Sequence, residues 1–266
     1  NYYIFYRINA NANMIINNID GAEGPDADKN AIKGQALVYR AWAHFNLVQL
    51  FGERFDAGGT NRGLGVPIVL TNETEGLPRS TVAEVYAQVN KDLDDAITLL
   101  DGYDRDNASH LDVHVAKGIK ARVALTQQNW TLAAQMASEA RDGFPLMSNS
   151  TYMAGFNDYN NDEWMWGVHQ QADQQTFFYS FFAYLSCDFN STNIRGNPKA
   201  INSDLYDMIS ATDIRKELWD PTGANTDFPI PDHPASVRKP YMNRKFRASA
   251  PGLSIGDVPL MRAAEM

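Results

Sequence analysis

Cysteine is almost absent. Among 266 residues only Cys187 carries a thiol, which excludes an internal disulfide and leaves the redox compartment open. There is no apolar run of about 18 residues and no charged-then-apolar leader, so these residues hold no membrane-crossing helix and no signal segment. Basic runs are missing too, and with a net charge of −9 the chain suits neither nucleic acid nor an anionic membrane surface, both of which demand clustered Lys and Arg. The overall charge fits a neutral substrate better. Also absent are a Gly-rich phosphate cradle, a G-x-S-x-G elbow and a Cys-x-x-Cys pair. Phosphoryl transfer, acyl transfer and dithiol redox chemistry are left without a carrier.

What is present is helical periodicity. In residues 31–51, AIKGQALVYRAWAHFNLVQLF, the positions Leu37, Ala41, Phe45 and Val48 draw one apolar stripe along a helix roughly 30 Å long. Trp42, Leu50 and Phe51 widen that stripe, which places the helix between two others, and Gly52 is the expected left-handed stop. Before it, Phe5, Ile8, Ala12, Ile15 and Ile19 predict a first helix over 2–19, turning at Asp20-Gly21 to make a hairpin. Residues 53–79 are rich in Gly, Asn and Pro, with only GVPIVL at 65–70 extended, and read as a long surface loop of the kind that carries function.

Thr81-x-x-Glu84 is a capping box, followed by a stripe of Val82, Val85, Val89, Leu93, Ile97 and Leu100. Helices are predicted over 109–126 and from Trp130, where Ala133, Ala137 and Ala140 give the small-residue spacing of a tetratricopeptide-like pair. The Leu-Gly and Tyr positions of that repeat are missing, so the residues alone leave a true repeat and an ordinary hairpin both open. Trp42 and Trp130 are assigned to packing. Past Arg141 the stripes thin and Asn, Asp, Gln, Pro and aromatic residues rise, which divides the chain into a helical half, 1–142, and a loop-rich half, 143–266. In the second half one strand is expected over 163–170, with Trp164, Trp166 and Val168 on one buried side. Short helices are expected at 203–209 and 213–219, and 221–240 is irregular. The uncapped start and the final VPLMRAAEM, which reads as the first turns of another helix, give both ends the look of a chain interior.

Several groupings invite chemistry. His110 and His114, four apart on a predicted helix, have metal-binding spacing but no third ligand, and surface histidines are the simpler reading. Asp158, Asn160 and Asp162 copy the first three ligands of a calcium loop, yet the required glycine is Glu163 and the twelfth position His169, so only an irregular calcium site is left. Asp162 with Glu163, or Asp92 with Asp94 and Asp95, are poor glycosidase pairs. Sequence neighbours do not by themselves span the roughly 5–10 Å that two carboxylates need across a sugar, and the second cluster reads as a solvated helix face. The aromatic and polar stretch 173–195, DQQTFFYSFFAYLSCDFNSTNIR, carries the flat rings and amides that sugar faces and hydroxyl rims require. Phe178, Tyr179, Phe182 and Tyr184 stand beside Asp188, Asn190, Asn193 and Arg195, and Trp219 is an outlying candidate. Core packing competes with binding for each ring.

The ordered pieces GQALVYRAWAHFNLVQLFGERF and GLGVPIVL, then LPRSTVAEVY, DLDDAITLL, AKGIKARVAL, NWTLAAQMASEA, DIR at 213–215 and terminal DVPLMRAAEM resemble the SusD/RagB glycan-binding outer-membrane lipoproteins over nearly the whole chain. The resemblance implies a mainly α fold of tetratricopeptide-like antiparallel helix pairs, a SusD-like α superhelix, covered by a loop-rich region with little β. It further implies a non-enzymatic binder of oligosaccharide or polysaccharide without a cofactor, held at the extracellular face of the outer membrane through a lipid anchor outside these residues. The implied partner is a SusC-like TonB-dependent transporter. The family has no fixed binding motif, so no site residue is carried over from it. A helical-repeat scaffold binding a protein or peptide is the rival reading.

Overall fold

The computed structural model describes residues 1–72, 75–174, 179–187, 192–223, 239–249 and 254–266, without the side chains of Thr192 and Arg195. The chain is mainly α, with two small two-stranded sheets among the described residues. It forms two compact units. The first holds Asn1–Asp106, His110–Gly143 and Glu265–Met266, and the second holds Asn107–Ser109 and Phe144–Ala264.

The first unit is built from α1 (Tyr2–Asn18), α2 (Asp26–Phe51), α3 (Val82–Leu99), α4 (Val113–Thr126) and α5 (Trp130–Ala140), each packed on the next. Helix α3 follows its sequence closely. Thr81 and Glu84 close a full capping box, and Val82, Val85, Val89 and Leu93 are buried in the direction the stripe gave. Helix α2 does lie between α1 and α3, and of the three residues expected to widen its face Trp42 does so, half-buried with its ring edge-to-face on Phe5 of α1. Leu50 and Phe51 are exposed, and the rest of the width comes from Val38, Leu47 and His44, all fully buried. Gly52 is extended, with φ −90° and ψ 171°, so it is no left-handed stop. Its lack of a Cβ serves close approach: that atom would lie 2.7 Å from the Val48 carbonyl oxygen and 3.3 Å from the Gly65 Cα.

Helix α1 departs further from its pattern. Its buried residues are Asn9, Ala12 and Asn13, whereas Ile15 is exposed. The reason is that this face meets backbone. Tyr6 Oη donates to the Pro67 carbonyl, Asn13 Nδ2 to that of Val69 and Asn17 Nδ2 to that of Leu70, while Asn72 Nδ2 donates back to the Ala10 carbonyl. The extended part of the long loop is therefore a strap, and its own Val66 is buried. Arg79 fastens its base by donating to the carbonyls of Gly65, Phe51 and Leu64.

A polar network joins three helices. Arg40 of α2 makes a two-point ion pair with Asp92 of α3 at 2.7 and 2.8 Å and donates to Asn13 of α1, and Gln88 donates to the same carboxylate. Asp92 is 1% exposed, so it does not share a solvated face with Asp94 and Asp95, which pair with Lys120 and Lys91. One turn on, His44 Nε2 accepts the Val69 N–H. Burial and the nearby Arg40 charge hold His44 down to about 4, which keeps it neutral and able to accept. The Arg and His of the YRAWAH segment are thus explained by assembly of the first unit.

Helix α4 starts later than expected, capped by Asp112, whose Oδ1 accepts from Val115 N. His110 precedes the helix, so it shares no helix face with His114, whose ring bonds the Ala140 carbonyl. Trp130 is 63% exposed and does not pack in the core. It lines a shallow trough with Leu125, Ala133 and Ala137, closed at one side by the Arg122–Glu265 ion pair.

In the second unit the elements are short: α6 (Asn149–Tyr152), β1 (Trp164–Val168), α7 (Phe181–Leu185), α8 (Thr192–Gly196), α9 (Ser203–Met208), β2 (Trp219–Asp220), β3 (Met242–Asn243) and β4 (Val258–Arg262). The predicted terminal helix is instead β4, antiparallel to β1, ending in one 3-10 turn at Ala263–Glu265. Pairing with β1 supplies the hydrogen bonds that a helix would have made, and that tertiary contact overrides local preference. Irregular register after Trp164 and Trp166 breaks the simple alternation: Trp164, Met165 and Trp166 are all buried and Val168 is exposed. The helix expected at 213–219 is a single 3-10 stretch, Ile214–Leu218, with Trp219 passing into β2.

Candidate functional site

The aromatic and polar stretch is organised around α7. Ser180 caps it, accepting from Ala183 N and donating to the Ser254 carbonyl. Phe182 is fully buried, and Gly256 lets the backbone lie on that ring, since a Cβ there would come within 2.6 Å of it. Phe182 is therefore core and no platform. The opposite end of α7 is held by Asn243, whose Nδ2 donates to the Leu185 carbonyl, and by Cys187 N donating to the Phe246 carbonyl. Ala183, Cys187, Ile194 and Met242 form the small apolar cluster on which α7, α8 and β3 meet.

From this frame the candidates separate. Tyr179, immediately before the Ser180 cap, is 80% exposed, and Tyr184 is 37% exposed. A stacking platform requires such an open ring face. Asn193 is half-buried in α8 beside the core residue Ile194. Trp219 is half-buried on β2, paired with Asn243, so one residue links its strand to the end of the Tyr184 helix. Phe178, Asp188 and Asn190 lie outside the described residues, as does the side chain of Arg195, whose backbone belongs to α8.

The other sequence groupings are engaged locally. Asp158 Oδ1 accepts from both the N–H and the side-chain amide of Asn160, and among the described residues no group of three or more His, Cys, Asp or Glu side chains is arranged to hold a metal. Glu163 is 2% exposed, with Oε2 accepting from Met147 N. The DIR segment is a turn clamp. Asp213 accepts from Arg215 N, Nε and Nη2, and those bonds hold its carboxyl at about 2.

Sequence reading missed one grouping altogether. Tyr152, Phe156, Phe181 and Phe246 form a chain of edge-to-face rings, with Lys245 and Arg262 lying over them. These residues are spread from position 152 to 262, so no local pattern exposes them.

A family model described as SusD-like, starch-binding associating with outer membrane, matches residues 1–125. Among solved structures, a SusD-like carbohydrate binding protein from Bacteroides vulgatus ATCC 8482 is similar at 31% identity and a TM-score of 0.82, over 99% of this chain and 55% of its own. A SusD superfamily protein from Bacteroides thetaiotaomicron VPI-5482 follows the same fold at 19% identity and a TM-score of 0.75, over 98% of this chain and 58% of its own. So does a laminarin binding SusD-like protein, at 18% identity and a TM-score of 0.72, over 99% and 64%. The chain thus spans 55% to 64% of the length of these three structures. No curated protein matches it.

Proposed function

The chain belongs to the SusD-like family, and from that premise we propose that it binds oligosaccharide or polysaccharide at the bacterial cell surface for nutrient uptake, breaking no bond. The observation that carries this reading is the 31% identical match, over 99% of the chain, to a SusD-like carbohydrate binding protein. Exposed Tyr179, just ahead of the Ser180 cap, and Tyr184 on the well-anchored α7 supply ring faces for the apolar side of a sugar. Phe178, Asp188, Asn190, Asn193, Arg195 and Trp219 complete the proposed surface.

In this reading the protein is lipid-anchored on the extracellular face of the outer membrane and hands its ligand to a SusC-like TonB-dependent transporter. Its family description, starch-binding associating with outer membrane, supports the outer-membrane association in this reading. A glycan array followed by affinity electrophoresis tests the binding claim, and retention by at least one glycan is expected. Capture of peptides with no glycan retained would replace it with the helical-repeat scaffold. Release of reducing sugar by the purified protein would contradict the non-catalytic reading. Co-purification from native membranes tests the transporter, which is expected in the eluate.

A further inference from the structure

The ring chain in the second unit carries more positive charge than its surroundings balance. Lys245 Nζ lies 4.8 Å from the Phe156 ring centre, 5.4 Å from that of Phe246 and 5.9 Å from that of Tyr152. The Arg262 guanidinium lies 4.9 Å from the same Phe156 centre and 5.9 Å from Tyr152. Two cations therefore share one aromatic box.

Among the described residues one carboxylate faces them, Glu163, and it is poorly used. Its Oε2 is committed to Met147 N, and its Oε1 stands 3.6 Å from Arg262 Nε without a hydrogen bond. Arg262 Nη1 is buried without a partner, and Lys245 joins no ion pair among the described residues. Arg215, whose charge also reaches Lys245, is matched by Asp213. Among the described residues, Lys245 and Arg262 against Glu163 leave one positive charge uncompensated in a half-buried site, where like-charge repulsion is weakly screened. Burial, Arg262 and Arg215 together push the Lys245 ammonium below its usual range, as such a surplus must.

Tyr152, Lys245 and Arg262 are each half-buried and keep part of their surface in contact with solvent. Phe181, the first residue of α7, packs edge-to-face on Phe246 at 5.0 Å, which joins the box to the helix bearing Tyr184. We propose that Lys245 and Arg262, set on the Tyr152–Phe156–Phe246 rings, form a subsite for the single negative charge of an acidic sugar in the bound glycan, a uronate carboxylate or a sulfate ester. The inference rests on the glycan-binding reading. It also replaces the neutral ligand that net charge alone favoured: a protein of net charge −9 can still concentrate positive potential at one box.

Calorimetry with three ligands tests it: an oligouronate, a sulfated oligosaccharide and a neutral laminarin oligosaccharide, each titrated into the parent, Lys245→Met and Lys245→Arg. At least one acidic ligand is expected to lose about tenfold in affinity with Lys245→Met and to recover with Lys245→Arg, the value of one charge-assisted contact, while any neutral binding stays unchanged. Which acidic ligand responds identifies the group. Acidic binding that ignores Lys245→Met, equal loss for the neutral ligand, or binding of the neutral ligand alone would overturn the subsite. A second readout needs no oligosaccharide: galacturonate or sulfate alone should slow acylation of the Lys245 amine in the parent, followed by mass spectrometry. Protection without any polymer binding would keep the anion subsite and defeat the glycan reading. No protection by either anion would defeat the subsite.

Discussion

The two units of this chain are held together by different means. In the first, long helices bury aliphatic stripes, such as Val82, Val85, Val89 and Leu93 on α3 and Val38, Leu47 and Val48 on α2, and the main polar exception is the Arg40–Asp92–Asn13 network. In the second, no described helix exceeds six residues, and position is fixed by side chains bonded to backbone: Ser180 to Ser254, Asn243 to Leu185, Asn157 to Arg247 and Ala248 N to Ser186. Burial of a stripe spreads stability over many residues, whereas each tether contributes only about 1 kcal/mol but aims a particular segment. The first unit is thus a scaffold, and the second is suited to presenting rings and charges in fixed places.

Breaking the scaffold should give the largest effects. Asp92→Ala strands the Arg40 guanidinium in the interior and is expected to cost about 3–5 kcal/mol in denaturant unfolding. A loss under about 1 kcal/mol would mean that the network is not a keystone of the first unit.

Acid comes next. His44 lies at about 4 when folded against an ordinary 6.5, so the unfolded chain takes up the proton first, and stability present above about pH 6.5 is lost as pH falls towards 4. The expected loss is about 3 kcal/mol at the low end. His44→Gln, which keeps an acceptor for Val69 N, should flatten that part of the profile relative to the parent.

In the second unit a single tether should matter less. Asn243→Ala, which frees the Leu185 carbonyl, is expected to cost about 1–2 kcal/mol and to loosen α7, seen as faster amide exchange at Ser186 and Cys187.

Much of the first unit was legible because its signals are local. A capping box four residues long and a stripe along α3 need no knowledge of the rest of the chain. The asparagines of α1 were not legible: the partner of Asn13 is a carbonyl 56 residues away, and buried amides look like surface residues in sequence. Residues 258–262 suit either a strand or the start of a helix, and only β1 decides between them. Trp130 shows the same limit, since a large ring at a helix start says nothing about whether another element covers it. The candidate site was legible only as composition. Which ring is core and which is open depended on Ser180, Gly256 and Asn243, and the cation box draws on three separate segments, around 152–156, 245–246 and 262.

Affinity electrophoresis of the parent, Tyr179→Ala and Tyr184→Ala in gels containing acidic or neutral glycan, with an unfolding curve for each, tests the division between scaffold and binding surface most directly. Retardation of the parent is expected, together with a loss of about 1–2 kcal/mol of binding in at least one tyrosine variant. For the exposed Tyr179 the unfolding midpoint should stay nearly unchanged. Equal retardation of all three proteins, or a parent that no glycan retards, would contradict it.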